Sequence, residues 1–376
     1  MFCAGKGCFS GIREGKDMKI KGHVVEFEAS ELGFVKKHGF LKAAQMALEH
    51  KAASPLPYLY DVDRLKAFLK KGRKSLFFYV KHADQDYRRI TIKKKSGGVR
   101  QVYAPNAELK RLQGRILRGL LVKLPVSTYA TAYIRKKDPV QNALPHVGKR
   151  YLLKLDITDF FGSIRFAQVY GAAFHSGHFP KQVGVLLTRL CCRQGVLPQG
   201  APTSPTLSNL VLRNFDNSLG KWCASHDIAY TRYCDDMTFS SDRPLYAVYR
   251  KARGMLEEMG LRLNDGKTRF ITNANRQSVT GLTVNAKVSV SRDYKRRLRQ
   301  EVHYVLKFGL AEHILHSVPC ALTEGGLPNA GKYYRSLLGR VGYVLQIEPE
   351  NAWFRNAQDR LKSDSLLKGE IALWSM

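Results

Sequence analysis

Acidic residues are scarce in this chain: 31 Asp and Glu face 62 Lys and Arg over 376 residues, a formal net charge of +31. Hydrophobic residues make up 44 %, an ordinary share for a packed core, so the imbalance belongs to the surface. Such a surface attracts polyanions, nucleic acid above all, through salt-dependent phosphate contacts. Long apolar runs are lacking too. No stretch of about 18 apolar residues could span a bilayer, and the opening MFCAGKGCFSGIREGKDMKIK has no signal-peptide core, so the expectation is a soluble cytoplasmic protein with no membrane partner. The seven cysteines (Cys3, Cys8, Cys191, Cys192, Cys223, Cys234, Cys320) are odd in number and form no C-x-x-C pair. That suggests neither a disulfide framework nor a thiolate zinc site, and fits a reducing compartment. Gly/Ser linkers, low-complexity tracts and internal repeats are also missing, so the two or three domains this length allows should pack together rather than hang on tethers.

What is present is a change of period along the chain. Residues 31–54 and 61–72 carry apolar residues at helical spacing, the second opening on Asp61 as a cap and closing on Gly72, and predict a helical N-terminal stretch. From residue 76 short β-like runs follow, LFFYV (76–80), RITI (89–92) and RQVYA (100–104), interrupted by the turn signal KKKSGG. Helical segments at 106–122 and 179–192 alternate with strands at 151–157, 227–234 and 236–240, the mark of an α+β fold. Past residue 286 the chain turns helical and basic. In SRDYKRRLRQEVHYVLK (291–307), Tyr294, Leu298, Val302 and Val305 share one face while Lys295, Arg296, Arg297 and Arg299 largely cover the others, so one helix can pack and touch phosphate at once.

The scarce carboxylates are concentrated where they repel. RYCDDMTFSS (232–241) sets Asp235 beside Asp236 between two β-favouring runs, as at a hairpin turn from which both side chains project. Asp is common in turns for backbone reasons alone. A second stretch, YLLKLDITDFFGSI (151–164), runs an apolar strand directly into Asp156, with Asp159 following. A carboxylate at the end of a buried strand must be paired or bind metal, because leaving it dry and alone costs several kcal/mol. Asp156, Asp235 and Asp236 together would form an oxygen-only set, which suits Mg²⁺ rather than zinc. Two such ions about 4 Å apart are the apparatus of in-line phosphoryl transfer.

With these residues in view the chain resembles the reverse transcriptases. The likeness runs, in the family's order, through IKKKSGGVRQVYAPNAELKRLQ (92–113), LKLDITDFFGSI (153–164), GVLPQGAPTSPTLSNL (195–210), YCDD (233–236) and EMGLRLNDGKT (258–268). NALPH (142–146), fitting N-A-x-x-H, and VTG (279–281) resemble the retron branch in particular. Departures are Cys234 where bacterial members usually have Ala, the stretch TAYIRKKDPVQ, which lacks the His-Gly-Phe often seen before N-A-x-x-H, and the long N-terminal extension.

The resemblance implies a right-hand polymerase: a helical N-terminal extension (1–75), fingers with part of the palm (76–150), a palm with an antiparallel sheet (151–285, with a fingers insertion near 165–195) and a helical thumb (286–376). It implies RNA-directed DNA synthesis with Asp156, Asp235 and Asp236 holding two Mg²⁺. Lys93 and Arg100, on either side of the Gly-Gly tip, would clamp the dNTP triphosphate, with the family's sugar gate at Phe161 and Gln199 near the nucleotide. Lys267 matches a lysine that protonates the leaving pyrophosphate, though a surface lysine reads equally well. His146 and Gly281 are implied RNA contacts, against the plainer readings of a core histidine and a special turn. Lys295, Arg296 and Arg299 are candidates for RNA binding by the thumb. The retron pattern further implies a bacterial enzyme with one cognate noncoding RNA as template and primer. Synthesis would start at a 2′-hydroxyl and give branched multicopy single-stranded DNA, in antiviral defence with an effector protein from the same operon. A group II intron-like enzyme and a catalytically silent RNA-binding scaffold are the alternatives.

Overall fold

The computed structural model describes residues 54–93, 97–317 and 330–365, together with 17–20, 23–26, 46 and 367. The helix expected at 31–54 and the tip lysines Lys94 and Lys95 lie essentially outside the described residues. The chain divides into two compact units built from alternating segments: Met1–Thr128, Ile157–Asn217 and Leu256–Arg262 form the first, and Tyr129–Asp156, Ser218–Met255 and Leu263–Met376 the second.

In the first unit, β1 (Asp17–Ile20) and β2 (His23–Glu26) pair antiparallel, so the N-terminal stretch is not helical throughout. Helix Val62–Leu69 opens as expected, with the Asp61 carboxylate accepting from Arg64 N at 2.8 Å. Its end differs from expectation: Lys70 adopts φ 51 and closes the helix, while Gly72 caps the start of the next. That next helix, Arg73–His82, contains LFFYV, expected as a strand. A short apolar run does not declare its period; here Leu76 and Val80, four apart, are buried and Phe77 and Phe78 between them are exposed, which is helical spacing. Strands β3 (Tyr87–Lys93) and β4 (Val99–Pro105) form the expected hairpin, turned by Gly97 and Gly98 at φ 85 and 77. The hairpin is tied to the LPQG loop, where Tyr103 N donates to Gln199 O at 2.7 Å. Gly200 is required beside it: at φ +126, a Cβ there would stand 2.7 Å from Tyr103 O. Helices Ala107–Gly119 and Lys181–Cys191 pack together, with Leu109, Leu112, Ile116, Val183 and Leu187 buried, and the buried Gln113 amide donates to Leu190 O at 2.8 Å.

In the second unit, the described residues form an antiparallel sheet in the order β6-β7-β5-β8, from β5 (Tyr151–Asp156), β6 (Ala229–Tyr233), β7 (Asp236–Ser241) and β8 (Arg269–Thr272). One face is largely apolar, with Leu153, Leu155, Met237 and Phe239 buried and Tyr230 stacked on Phe239 at 4.7 Å. The opposite face carries Lys154, Asp156, Thr231, Asp236, Thr238 and Ser240, as period 2 demands. A short hairpin, β9 (Ser278–Val279) with β10 (Leu282–Thr283), and helices Arg292–Phe308, Ala330–Ile347 and Ala352–Ser363 share a core that includes Val279, Leu282, Leu298, Val302, Val341 and Phe354. The basic helix begins on Ser291, whose hydroxyl accepts from Tyr294 N, and buries Leu298, Val302 and Val305 on the face expected. No described helix is long and apolar enough to cross a membrane.

Candidate active site

Strand β5 carries Asp156 to its end, directly opposite Asp236 in the register. Opposed residues of antiparallel strands point to the same face, so the two carboxylates project together. Asp236 is therefore the first residue of β7 rather than part of the turn. The connection is Cys234–Asp235, and Cys234 takes φ 62, a conformation non-glycine residues adopt at some cost. It is secured from two sides: Arg232 Nη1 donates to Cys234 O at 2.8 Å, and Tyr133 OH donates to Cys234 Sγ at 3.2 Å. Burial, reinforced by Asp235, pushes the Cys234 thiol up to about 12.

Asp156 is buried and engaged by Lys267, whose ammonium lies 2.8 and 3.0 Å from its two oxygens. Lys267 reaches it from the short turn Asp265–Lys267, anchored by Asn264 N donating to Asp156 O at 2.8 Å. The bond to Asp156 raises the lysine's pKa, with Asp235 and Asp236 adding to the effect, so the ammonium stays protonated. Asp236 has an exposed surface, yet loss of water around its carboxyl and the charge of Asp235 raise its pKa, opposed by Lys154 and Lys267. The expected compact cluster of three ligands is not assembled: among the described residues no three His, Cys, Asp or Glu side chains stand at metal-ligand spacing. Lys267 engages both oxygens of Asp156, and Asp235 lies in the turn that precedes β7. The donor set still fits a hard divalent cation, being oxygen-only, with two carboxylates on one face and an Asp236 pKa raised by burial and by the charge of Asp235.

The residues expected to handle the nucleotide belong to the first unit. Lys93 ends β3 and Arg100 lies in β4; both are exposed, and neither makes an ion pair among the described residues. Phe161 is half-buried, its ring 5.2 Å from that of buried Phe160, and Gln199 is half-buried on the loop docked to Tyr103.

The expected RNA contacts divide. His146 is wholly buried, with Nδ1 2.7 Å from Ser240 Oγ and Nε2 2.8 Å from Thr231 Oγ1, so it is a core histidine and not an RNA contact. Its burial lowers the pKa to about 3. Gly281 is exposed at φ 84 and, with Thr280 at φ 47, forms the turn between β9 and β10. Lys295 is taken up by Glu348 at 2.7 and 2.9 Å, so this cation braces the helices rather than meeting phosphate. Arg296 is exposed. Arg299 lies 5.5 Å from the Trp353 ring and 5.4 Å from that of Phe354. Beside it, Val302, His303, Lys307, Trp353, Asn356 and Arg360 line a groove of about 370 Å³. Sequence reading missed this groove, and also Lys154, Tyr133 and Arg232. The alternation of β5 could have found Lys154; nothing local marks the other two.

A family described as "Reverse transcriptase (RNA-dependent DNA polymerase)" matches residues 92–303. The chain is 33 % identical to the retron Ec86 reverse transcriptase of Escherichia coli over 69 % of this chain and 83 % of that protein. It is 38 % identical to the retron Mx65 reverse transcriptase of Myxococcus xanthus over 71 % and 62 %. With the retron Mx162 reverse transcriptase of the same organism the figures are 31 %, 68 % and 61 %. Among solved structures, telomerase from Candida albicans with a telomeric RNA fragment aligns at TM-score 0.41 and 9 % identity, over 77 % of this chain and 66 % of that one.

Proposed function

This chain belongs to the reverse transcriptases, in the retron branch, and is an RNA-directed DNA polymerase; from that premise we propose that Asp156, Asp235 and Asp236 are its metal-binding carboxylates and Lys267 its proton donor. The observation that carries the reading is Asp156 facing Asp236 across β5 and β7, with Asp235 in the adjoining turn and Lys267 on Asp156. Two bound Mg²⁺ ions would supply activation of the attacking 3′-hydroxyl and stabilisation of the leaving pyrophosphate. Lys267, already protonated, is in the state needed to deliver a proton to that leaving group. Lys93 and Arg100, exposed and without ion-pair partners among the described residues, bind the triphosphate; Phe161 selects the sugar, and Gln199 packs beside the nucleotide. Replacing Asp235 and Asp236 by Asn tests the assignment: RNA affinity stays and DNA synthesis is lost, whereas unchanged synthesis removes it.

The finer reading is that the protein works on one cognate noncoding RNA in the bacterial cytoplasm. It primes from a 2′-hydroxyl to give branched RNA-linked DNA, and acts with an effector protein in antiviral defence. The +31 charge supports RNA binding, as does the groove in which Trp353 offers a stacking face beside Lys307 and Arg360. Protein purified from its operon without nuclease, run on a denaturing gel, should carry a discrete RNA–DNA species that shortens with ribonuclease and again with debranching enzyme. Heterogeneous RNA, with synthesis on arbitrary primed templates, would remove the dedicated-RNA reading.

A further inference from the structure

A network of buried polar side chains occupies the end of the sheet face away from the carboxylates, and no step of the chemistry above uses it. His146 reaches Thr231 Oγ1 on β6 and Ser240 Oγ on β7. Thr231 Oγ1 donates to Asn142 O at 3.2 Å, which spends its only proton, so His146 Nε2–H must donate to it and Nδ1 must accept from Ser240. Thr131 Oγ1 lies 2.7 Å from Asn142 Oδ1 and 3.0 Å from Arg232 O, and Thr131 N donates to the same carbonyl at 2.8 Å. Arg232 N donates to Tyr129 O at 2.9 Å, and Ala130 bridges Arg232 in parallel. Two residues past Thr131, Tyr133 bonds the Cys234 thiol, and the Arg232 guanidinium bonds the Cys234 carbonyl.

Thr131, Asn142, His146, Thr231, Arg232 and Ser240 are all buried. Polar groups in such a place destabilise a core unless each is bonded, and a bonded network fixes one arrangement. This one joins both strands of the catalytic hairpin to the segment 129–146 and ends on the strained Cys234 turn, a conformation that persists only where its surroundings over-determine it. We propose that Asn142 and His146 are positioning residues for catalysis: they hold β6 against β7 and, through Thr131, Arg232 and Tyr133, the aim of Asp235 and Asp236. The inference rests on the catalytic role given to those aspartates. It gives the N-A-x-x-H element work inside the protein.

The test compares single-residue variants on a primed RNA template. Thr231→Val deletes the hydroxyl and Thr231→Ser keeps it; His146→Ala and Ser240→Ala remove the two ends of the bridge. For Thr231→Val, Ser240→Ala and His146→Ala, kcat should fall about 10-fold or more, in line with the cost of small misplacements. The dNTP KM and the RNA Kd should stay within about two-fold of wild type, the Mg²⁺ concentration for half-maximal rate should rise, and Thr231→Ser should stay near wild type. In metal-free protein, hydrogen exchange should quicken at the amides of residues 233–236 relative to those of β5 and β8. Should His146→Ala fail to fold, the other two variants carry the test. Loss of RNA affinity with kcat and exchange unchanged would return His146 to the RNA. A fall in kcat with unmoved Mg²⁺ dependence and unchanged exchange at 233–236 would reduce the network to plain stability. Either result leaves the Asp235→Asn, Asp236→Asn experiment intact, so the clamp and the catalytic assignment fail separately.

Discussion

The two ends of one sheet face behave in opposite ways. At the carboxylate end, charge is crowded and only partly neutralised: the Asp236 pKa is raised, Lys267 is held charged, and the turn leading into Asp236 runs through Cys234 at φ 62. Farther along the same face, His146 bonds Ser240, four residues past Asp236 on β7, and Thr231, which pairs with Thr238 on β7; all three are buried and bonded. Both ends are polar, yet only one is frustrated. On the proposed reading, the end that takes up cations and releases product keeps unbalanced charge, while the part that aims it is settled.

The largest effect should come from removing charge at the frustrated end. Asp236→Asn should lower the rate of nucleotide incorporation by about 10³-fold, the scale of losing a main electrostatic contributor, while thermal stability holds or rises because the repulsion by Asp235 is gone. A rate measurement paired with a melting curve checks both halves. Next, Lys267→Ala should cost about 10²-fold in kcat as the proton donor is lost, and a solvent isotope effect on the chemical step should change with it. If the lysine only neutralises Asp156, rate and isotope effect will stay near wild type.

The settled end should show itself through pH. His146 has a folded pKa lowered by burial from 6.5 to about 3, so the unfolded chain binds the proton more readily between those values. Stability from this group is complete above pH 6.5 and is lost as pH falls toward 3, at a slope of up to about 1.4 kcal/mol per pH unit. Denaturant titrations from pH 7 to pH 5 should show that slope in the wild type and a flatter one in His146→Gln. The smallest effect belongs to Tyr133→Phe, which deletes the hydrogen bond to Cys234 Sγ: about 0.5 kcal/mol of stability and a few-fold in rate, read by the same two assays. A rate loss without a stability loss would separate aim from scaffold.

Much of this was legible in the residues. An apolar strand ending in Asp156 and an Asp-Asp pair between two β runs place carboxylates at strand ends, because period 2 and turn chemistry are local rules. Caps at Asp61, the Gly97-Gly98 tip and the buried face of helix Arg292–Phe308 followed in the same way. Where local signals were ambiguous the readings failed: LFFYV could sit in either element, and only packing by Leu76 and Val80 decided for a helix. Lys295 and Arg296 are adjacent and look alike in the sequence, yet one is paired with Glu348, 53 positions on, and the other is exposed.

By itself, then, the sequence determined the chemistry available to this protein: a basic surface, three carboxylates and a lysine in the order of a reverse transcriptase, and strands and helices from their periods. Tertiary structure alone decided which of the marked residues face solvent and which disappear into the fold. Asn142 and His146 could not be read as a clamp because their partners, Thr131, Thr231 and Ser240, lie from 11 to 94 positions away and meet them only when the sheet forms. A hydrogen bond needs atoms within about 3 Å, and distance along a chain says nothing about that until the strands have paired.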